Sequence, residues 1–212
     1  FHDILRYQVK TINELFAKTI AEAKFNGEYF GVYPIKVNQL REVVEEVVDA
    51  GMDYNYGLEA GSKAELLTIL AYNQNPKALS ILNGYKDKDY LRLALLGTQI
   101  GKNIVVVIEK FSEIHALIDV INETGVTPMI GVRAKLSSKA SGKWKESSGE
   151  FAKFGLSVPE IVELLDFLKE KDLIHALNLF HFHVGSQIPD IRTIKDCITE
   201  GARIYAELIK LG

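Results

Sequence analysis

A single lysine near the end of an apolar run is the feature of this sequence that most directly suggests chemistry. The run from Tyr29 to Val37 (YFGVYPIKV) has the composition of a strand, and Lys36 is its one charged residue. An amine held in a low-dielectric pocket loses its proton more readily and becomes a nucleophile toward aldehydes, as in Schiff-base lysines. The alternative is a lysine whose side chain passes the edge of the sheet and reaches water. The run by itself leaves both alternatives open.

The elements that must position this lysine alternate regularly along the chain, with short β-branched runs separated by amphipathic helical patterns. The predicted strands are Tyr29–Val37, Tyr54–Leu58, Leu79–Leu82, Ile104–Ile108, Met129–Ala134 and Leu177–His183. The predicted helices are Ile4–Lys24, Gln39–Ala50, Ser62–Tyr72, Asp87–Ile100, Ser112–Thr124, Val158–Lys169 and Ile191–Leu211.

Strand–helix alternation without hairpin dipeptides between neighbouring strands predicts parallel strands with right-handed crossovers, hence an α/β fold. The first strand is not followed by a GxGxxG motif, which disfavours a dinucleotide-binding sheet. Six units would become an eight-fold barrel of about 250 residues if two more followed. We therefore expect a single partial TIM (β/α)8 barrel domain over 1–212, with a leading helix at 1–24 and about six units present.

Polar residues gather where the predicted strands end, which is where barrel enzymes place their chemistry. These residues are Lys36, Asn38, Glu59, Asn83, Glu109, Arg133, His181, His183 and Ser186. Glu109 has an alternative role in favouring the N-terminus of the following helix. His181 and His183 are two apart on a predicted strand and would share a side, so a metal pair competes with a packed core histidine; we find no third ligand and predict no metal site.

The charge balance and cysteine content exclude several classes of protein. The formal net charge is −3, without a basic block, which argues against a nucleic-acid-binding protein. No apolar run approaches the roughly 20 residues that cross a bilayer. The single cysteine, Cys197, cannot form an internal disulfide, and we expect a cytoplasmic protein. Because the first residue is Phe1 and the last helical pattern ends with the chain, we expect an excerpt from a longer polypeptide.

Seven segments of the chain carry a family resemblance. They are VYPIKVNQ (32–39), LEAGSKAEL (58–66), NGYKD (83–87), GVRAKL (131–136), SGKWKESSGE (141–150), KFGL (153–156) and FHFHVGSQI (180–188). These segments resemble the biosynthetic arginine decarboxylases, within the alanine-racemase-like (fold type III) group of pyridoxal-phosphate enzymes. The strand lysine before Val-Asn and the Phe-His-Val-Gly-Ser turn are typical of the whole group, whereas NGYKD and SGKWKESSGE resemble the arginine-specific branch.

The resemblance assigns roles to five residues. It implies that Lys36 carries pyridoxal 5'-phosphate as a Schiff base and that His183 lies against one face of its pyridine ring, both taking part in catalysis. Ser186 would donate to a phosphate oxygen, Glu59 would supply a carboxylate near the cofactor, and Arg133 would lie on the phenolic side of the ring. For Glu59 and Arg133 the alternative is a structural ion pair at the barrel mouth.

The resemblance also implies the activity: decarboxylation of L-arginine to agmatine and CO2, in arginine catabolism and polyamine biosynthesis. The partner of the pyridine nitrogen, a phosphate loop, a C-terminal β-domain and residues of a second subunit would lie beyond Gly212, so the chain alone should be inactive. The intact enzyme would be a homo-oligomer, and magnesium is implied for some members only. The alternatives are a related decarboxylase acting on ornithine, diaminopimelate or carboxynorspermidine, and a non-catalytic barrel that carries the cofactor. Nothing in these residues identifies a guanidinium-binding group.

The segment after the fifth strand is a further candidate for function. Residues 137–154 form a long predicted loop, rich in Ser, Gly and Lys between Ser137 and Glu150 and carrying the only tryptophan, Trp144. A loop of about 14 residues after a barrel strand is long enough to act as a lid or a subunit contact. The alternative is a surface loop without such a role.

Overall fold

Helices and parallel strands alternate through the chain in a computed structural model that describes residues 1–137, 154–186 and 188–211. The strands are β1 (Val32–Pro34), β2 (Gly57–Ala60), β3 (Leu79–Leu82), β4 (Asn103–Ile108), β5 (Met129–Ala134) and β6 (Leu177–Phe182), in one sheet whose order follows the chain. The helices are α1 (His2–Ala23), α2 (Arg41–Ala50), α3 (Lys63–Tyr72), α4 (Lys88–Gln99), α5 (Phe111–Thr124), α6 (Val158–Glu170) and α7 (Ile191–Leu211).

The chain divides into two compact units, the first made of Phe1–Val106 with Asp119–Pro128. In this unit β1, β2, β3 and β4 pair in parallel in that order. Helix α1 packs on α2 through Val9, which joins Val43 and Val47 in one apolar cluster. Arg6 of α1 pairs with Glu46 of α2 beside that cluster. Burial of the apolar stripe of α2 therefore holds the leading helix in place, with charged groups at the rim.

The second unit is made of Val107–Ile118 with Met129–Gly212. Strand β5 pairs in parallel with β6, with a register shift at Ile130/Gly131. Helix α6 begins after Ser157, whose backbone N–H and hydroxyl both donate to Glu160 Oε2 at 2.7 Å. The Glu160 carboxylate thus satisfies a backbone N–H at the start of α6 that would otherwise lack a partner. Leu164 and Leu168 of α6 are fully buried in the core of this unit.

The predicted elements are all present, and the largest differences are in the first two strands. Strands β3 and β5 and helix α7 have the predicted bounds. Strand β1 is three residues long rather than nine, and β2 begins at Gly57 rather than at Tyr54 because Met52–Tyr54 form a 3-10 turn. Asn55, at φ 52°, ends that turn in the left-handed region and delays the strand.

No helix in the part of the chain that the structure describes combines the length and the apolar character that crossing a membrane requires.

Candidate active site

Lys36 lies just beyond β1, and its surroundings differ from those that the sequence predicted. The strand ends at Pro34 and Ile35–Val37 form a 3-10 turn, so Lys36 is in a turn rather than in a strand. Its side chain is 60% exposed. Of the two alternatives that the apolar run left open, a side chain that passes the edge of the sheet and reaches water describes this position better than a buried amine. Pro34 explains the short strand, since it has no N–H to continue a ladder.

A carboxylate of the neighbouring strand lies beside this amine. Glu59, the third residue of β2, is 6% exposed, and its Oε1 is 3.9 Å from Lys36 Nζ. The same oxygen accepts a hydrogen bond from Asn83 Nδ2 at 3.0 Å. Lys36, Glu59 and Asn83 form what we call the lysine cluster. It brings together two of the predicted site residues and adds a third, Asn83, which sequence analysis placed at a strand end but gave no role.

Two oxygen atoms of the lysine cluster are buried and receive no hydrogen bond from the described residues. Glu59 Oε2 and Asn83 Oδ1 have no hydrogen-bond partner among the described residues. Leaving such groups unsatisfied costs roughly 1–3 kcal/mol each, more when the group is charged. Buried orphan acceptors are rare in native proteins, and they gather where a ligand or water supplies the missing donors.

The backbone of Asn83 is held in place by contacts with the end of β2. Its N–H donates to Ala60 O at 2.8 Å. The hydroxyl of Tyr90, which is 2% exposed, donates to Ala60 O at 3.2 Å and to Asn83 O at 3.3 Å. Gly84 follows at φ 73°, and a Cβ there would overlap the carbonyl of Gly61. These hydrogen bonds connect the end of β3 to the end of β2. They place Asn83 where its side-chain amide can donate to Glu59.

A buried ion pair forms the second group of polar residues. Arg133 Nη1 donates to Glu109 Oε1 at 2.7 Å, with side chains 13% and 1% exposed. Arg133 is the fifth residue of β5, and Glu109 follows β4 directly. At the start of α5 the side chain of Glu113 accepts hydrogen bonds from the backbone N–H groups of Glu109 and Lys110. The favourable effect of Glu109 on the N-terminus of α5 stays a prediction, while its described side-chain partner is Arg133. We call Arg133 and Glu109 the arginine pair.

The remaining predicted site residues lie at and after the end of β6. His181 is in β6, opposite Arg133 in the parallel register. His183 is the first residue beyond the strand and is exposed, as is Ser186. Gly185 has φ 126°, which turns the backbone between them. Because β6 ends at Phe182, the prediction that both histidines belong to one strand is wrong. The described ranges contain no group of three or more His, Cys, Asp or Glu side chains suited to a metal ion.

The predicted long loop lies largely outside the described residues, and Trp144 with it. At its start, the Ser137 N–H donates to Glu200 Oε1 of α7 at 2.6 Å. At its end, Phe154 lies over the guanidinium of Arg133, with 5.5 Å between Cζ and the ring centroid.

Comparison with known proteins identifies close relatives over the whole chain. A family described as "Pyridoxal-dependent decarboxylase, pyridoxal binding domain" matches residues 9–212. The chain is 47% identical over 212 residues to a biosynthetic arginine decarboxylase of Prochlorococcus marinus (strain MIT 9215) and 49% identical to that of Gloeobacter violaceus (strain ATCC 29082 / PCC 7421). All of this chain is covered in both comparisons, with 33% of each relative. The chain thus spans about a third of the length of these relatives.

Solved structures give the same result for the fold. The biosynthetic arginine decarboxylase SpeA from Campylobacter jejuni matches with a TM-score of 0.91 and 39% identity, over 100% of this chain and 34% of that one. A diaminopimelate decarboxylase from M. jannaschi matches with a TM-score of 0.70 at 22% identity, over 98% of this chain and 47% of that one. The second match bears on the fold alone. Together they confirm the predicted α/β class, with parallel strands and alternating helices as in the barrel domains of these enzymes.

Proposed function

Because the chain belongs to the pyridoxal-dependent decarboxylases, through their pyridoxal-binding domain, we propose that it binds pyridoxal 5'-phosphate and forms part of an enzyme that converts L-arginine to agmatine and CO2. Identities of 47–49% with biosynthetic arginine decarboxylases over the full chain support arginine as the substrate. The resemblance further supports a cytoplasmic homo-oligomer for the intact protein and a place in polyamine biosynthesis.

The lysine cluster is the observation on which this proposal depends. Lys36 Nζ is exposed, so an aldehyde can reach it, yet it lies 3.9 Å from a buried carboxylate oxygen that limits where the amine can go. Glu59 Oε2 and Asn83 Oδ1 lack donors among the described side chains and backbone. An exposed amine beside a buried carboxylate and an amide, each with one oxygen that lacks a donor, fits a Schiff-base cofactor and its substrate better than a purely structural ion pair.

In this proposal each residue of the lysine cluster and of the arginine pair has a specific role. Lys36 would hold the cofactor through its amine, and Glu59, held by Asn83, would orient that amine and accept hydrogen bonds at its second oxygen. Arg133, held by Glu109, presents positive charge to an anionic oxygen of the cofactor. When bound, pyridoxal phosphate supplies the conjugated system that accepts the electron pair left at Cα as CO2 departs.

The residues after β6 complete the proposed set. His183 offers a flat imidazole for stacking on the ring. The hydroxyl of Ser186 donates to the phosphate, where the positive φ of Gly185 lets the backbone turn and approach closely. Both side chains are exposed and therefore accessible to a ligand.

Borohydride trapping tests the proposal directly. The protein is mixed with pyridoxal phosphate, reduced and mapped by mass spectrometry, beside Lys36→Ala and a control, Lys88→Ala, whose amine pairs with Asp119 outside the cluster. We expect a visible imine band and a pyridoxyl label on Lys36, both lost in Lys36→Ala and kept in the control. Label spread over surface lysines, or identical in Lys36→Ala, would contradict the proposal.

Substrate choice needs a separate assay. CO2 release is measured for the intact protein with arginine, ornithine and diaminopimelate. We expect arginine to be preferred, and turnover to be absent from the 212-residue chain alone. Preference for another substrate would favour the alternative decarboxylases, and cofactor binding without turnover in the intact protein would favour a carrier.

A further inference from the structure

The KFGL segment (153–156) stands out in the sequence, and the proposed function gives it no role. Its three described residues, Phe154 to Leu156, all contact the arginine pair or its strand. We infer that Phe154 and Gly155, together with Glu109, are positioning residues that hold the Arg133 guanidinium in one orientation, so that it presents its remaining donors to an anionic oxygen of the bound cofactor. The inference rests on the proposed function for the identity of that ligand.

Backbone hydrogen bonds fix the segment to the end of β5. The Leu156 N–H donates to Arg133 O at 2.7 Å, and the Lys135 N–H donates to Leu156 O at 2.8 Å. Ala134 and Leu156 form a parallel bridge. The Gly155 N–H donates to Glu109 O at 3.2 Å. One short segment is therefore bonded to the backbone of both members of the arginine pair, which sets their separation before any side chain is considered.

Glycine is required at the centre of this contact. Gly155 has φ +94°, where an L-residue is strained, and an added Cβ would lie 3.0 Å from Arg133 O and 3.3 Å from Arg133 Cγ. The backbone of Gly155 thus packs directly on Arg133, and a side chain there would displace it.

The guanidinium is held by two groups that constrain different motions. Glu109 Oε1 accepts from Nη1 at 2.7 Å, which fixes the direction of one N–H in the guanidinium plane. The Phe154 ring, centred 5.5 Å from Cζ, limits rotation by stacking. Among the described residues Nη1 is the only nitrogen of this guanidinium with a hydrogen-bond acceptor, and the group carries five donors in all. Nη2 and Nε therefore keep donors that can be directed at an anion.

The partial exposure of this pair fits ligand recognition better than a sealed structural role. Glu109 is 1% exposed, whereas Arg133 is 13% exposed. The carboxylate is thus almost completely shielded from solvent, whereas the cation retains accessible surface. Glu109 Oε2 is also buried without a partner in the described parts of the chain. A pair built for stability alone would satisfy both oxygens, because burying an unpaired charged oxygen opposes folding.

The first test measures the orientation of Arg133 without cofactor. In the 15N-labelled protein, the Arg133 guanidinium signals, assigned by their loss in Arg133→Lys, should show a ring-current shift from Phe154 and slow rotation about the Nε–Cζ bond. We expect Phe154→Leu to remove the shift and speed this rotation, and Phe154→Tyr to restore both. Phe167→Leu is the matched control, since that ring lies 5.6 Å from Lys171 in the same unit. An Arg133 signal unchanged by Phe154→Leu would overturn the inference.

The second test measures cofactor affinity in the same variants. We expect Phe154→Leu to weaken pyridoxal phosphate binding about 2- to 30-fold, the range of a cation–π contact, with Phe154→Tyr close to wild type and Phe167→Leu unchanged. Far-UV circular dichroism checks that each variant is folded. An altered Arg133 signal with unaltered affinity would overturn the positioning role. If the wild-type protein bound no cofactor, the proposed function would fail, while the NMR measurement would still decide whether Phe154 holds Arg133.

Discussion

Replacing Asn83 by alanine tests whether the lysine cluster is built as the structure indicates. Asn83 Nδ2 donates at 3.0 Å to Glu59 Oε1, and the other Glu59 oxygen already lacks a partner in the described residues. In Asn83→Ala a 6%-exposed carboxylate is left with only an amine 3.9 Å away. A hydrogen bond to a charged group contributes about 1.5–3 kcal/mol. We expect the free energy of unfolding to fall by that amount at pH 7, which is roughly a 1 M decrease in urea midpoint for an m-value near 2 kcal/mol/M.

A double-mutant cycle with Glu59→Gln separates this bond from general loss of packing. The side-chain carbonyl of the introduced glutamine can still accept from Asn83, so Asn83→Ala should cost only about 0.5–1.5 kcal/mol in that background, giving a coupling near 1 kcal/mol. Asn103→Ala is the matched control, because its amide donates at 3.3 Å to the exposed Lys77 O. Equal costs of Asn83→Ala in both backgrounds, or a cost no larger than that of Asn103→Ala, would refute the reasoning.

Two further predictions concern stability. Hydrogen bonds from Ser157, chiefly from its hydroxyl and secondly from its backbone N–H, lower the pKa of Glu160. The ionised Glu160 therefore stabilises the fold fully above the unfolded pKa of about 4.3, and this stabilisation is lost as pH falls through the lower folded pKa. We expect Glu160→Gln to lower the free energy of unfolding by about 0.5–1 kcal/mol at pH 7, and urea titrations to show that difference shrinking below about pH 4; a pH-independent difference would exclude this cause. Gly57→Ala should cost at least about 2 kcal/mol because its Cβ would overlap Leu79 O, whereas Gly61→Ala, whose Cβ has its nearest neighbour at 3.6 Å, should change stability by less than about 0.5 kcal/mol. Similar urea midpoints for the two alanine variants would contradict this account of Gly57.

The sequence predicted the bounds of two largely buried strands correctly. Leu79–Leu82 and Met129–Ala134 are mostly apolar, with one polar residue each, Ser80 and Arg133, as is typical of strands covered on both faces. The run Tyr29–Val37 is apolar for other reasons. Phe30 and Val37 remain exposed, at 41% and 69%, and the strand is confined to three residues that pair with β2. Hydrophobicity alone could not distinguish an exposed apolar segment from a buried one.

The residues of the candidate site were easier to predict than their partners. Their positions follow from the alternation of elements, because polar residues at the carboxyl ends of parallel strands share one edge of the sheet. Their pairing depends on side-chain direction and burial, which the spacing does not encode. Asn83 was recognisable only as a strand-end residue, and its bond to Glu59 depends on how Tyr90 fixes the ends of β2 and β3.

The arginine pair illustrates a role that an ion pair can have beyond its net contribution to stability. Sequence analysis considered a structural ion pair for Glu59 and Arg133; in the structure Arg133 pairs instead with Glu109, and Glu59 with Lys36. A buried pair of this kind gains little net stability, because removing both charges from water offsets most of their attraction, and apolar residues of similar volume often stabilise a fold as well or better. What apolar residues cannot supply is a cation with a fixed direction. If the proposed function is correct, Glu109 serves to orient the Arg133 guanidinium, and Asn83 in the same way orients the Glu59 carboxylate.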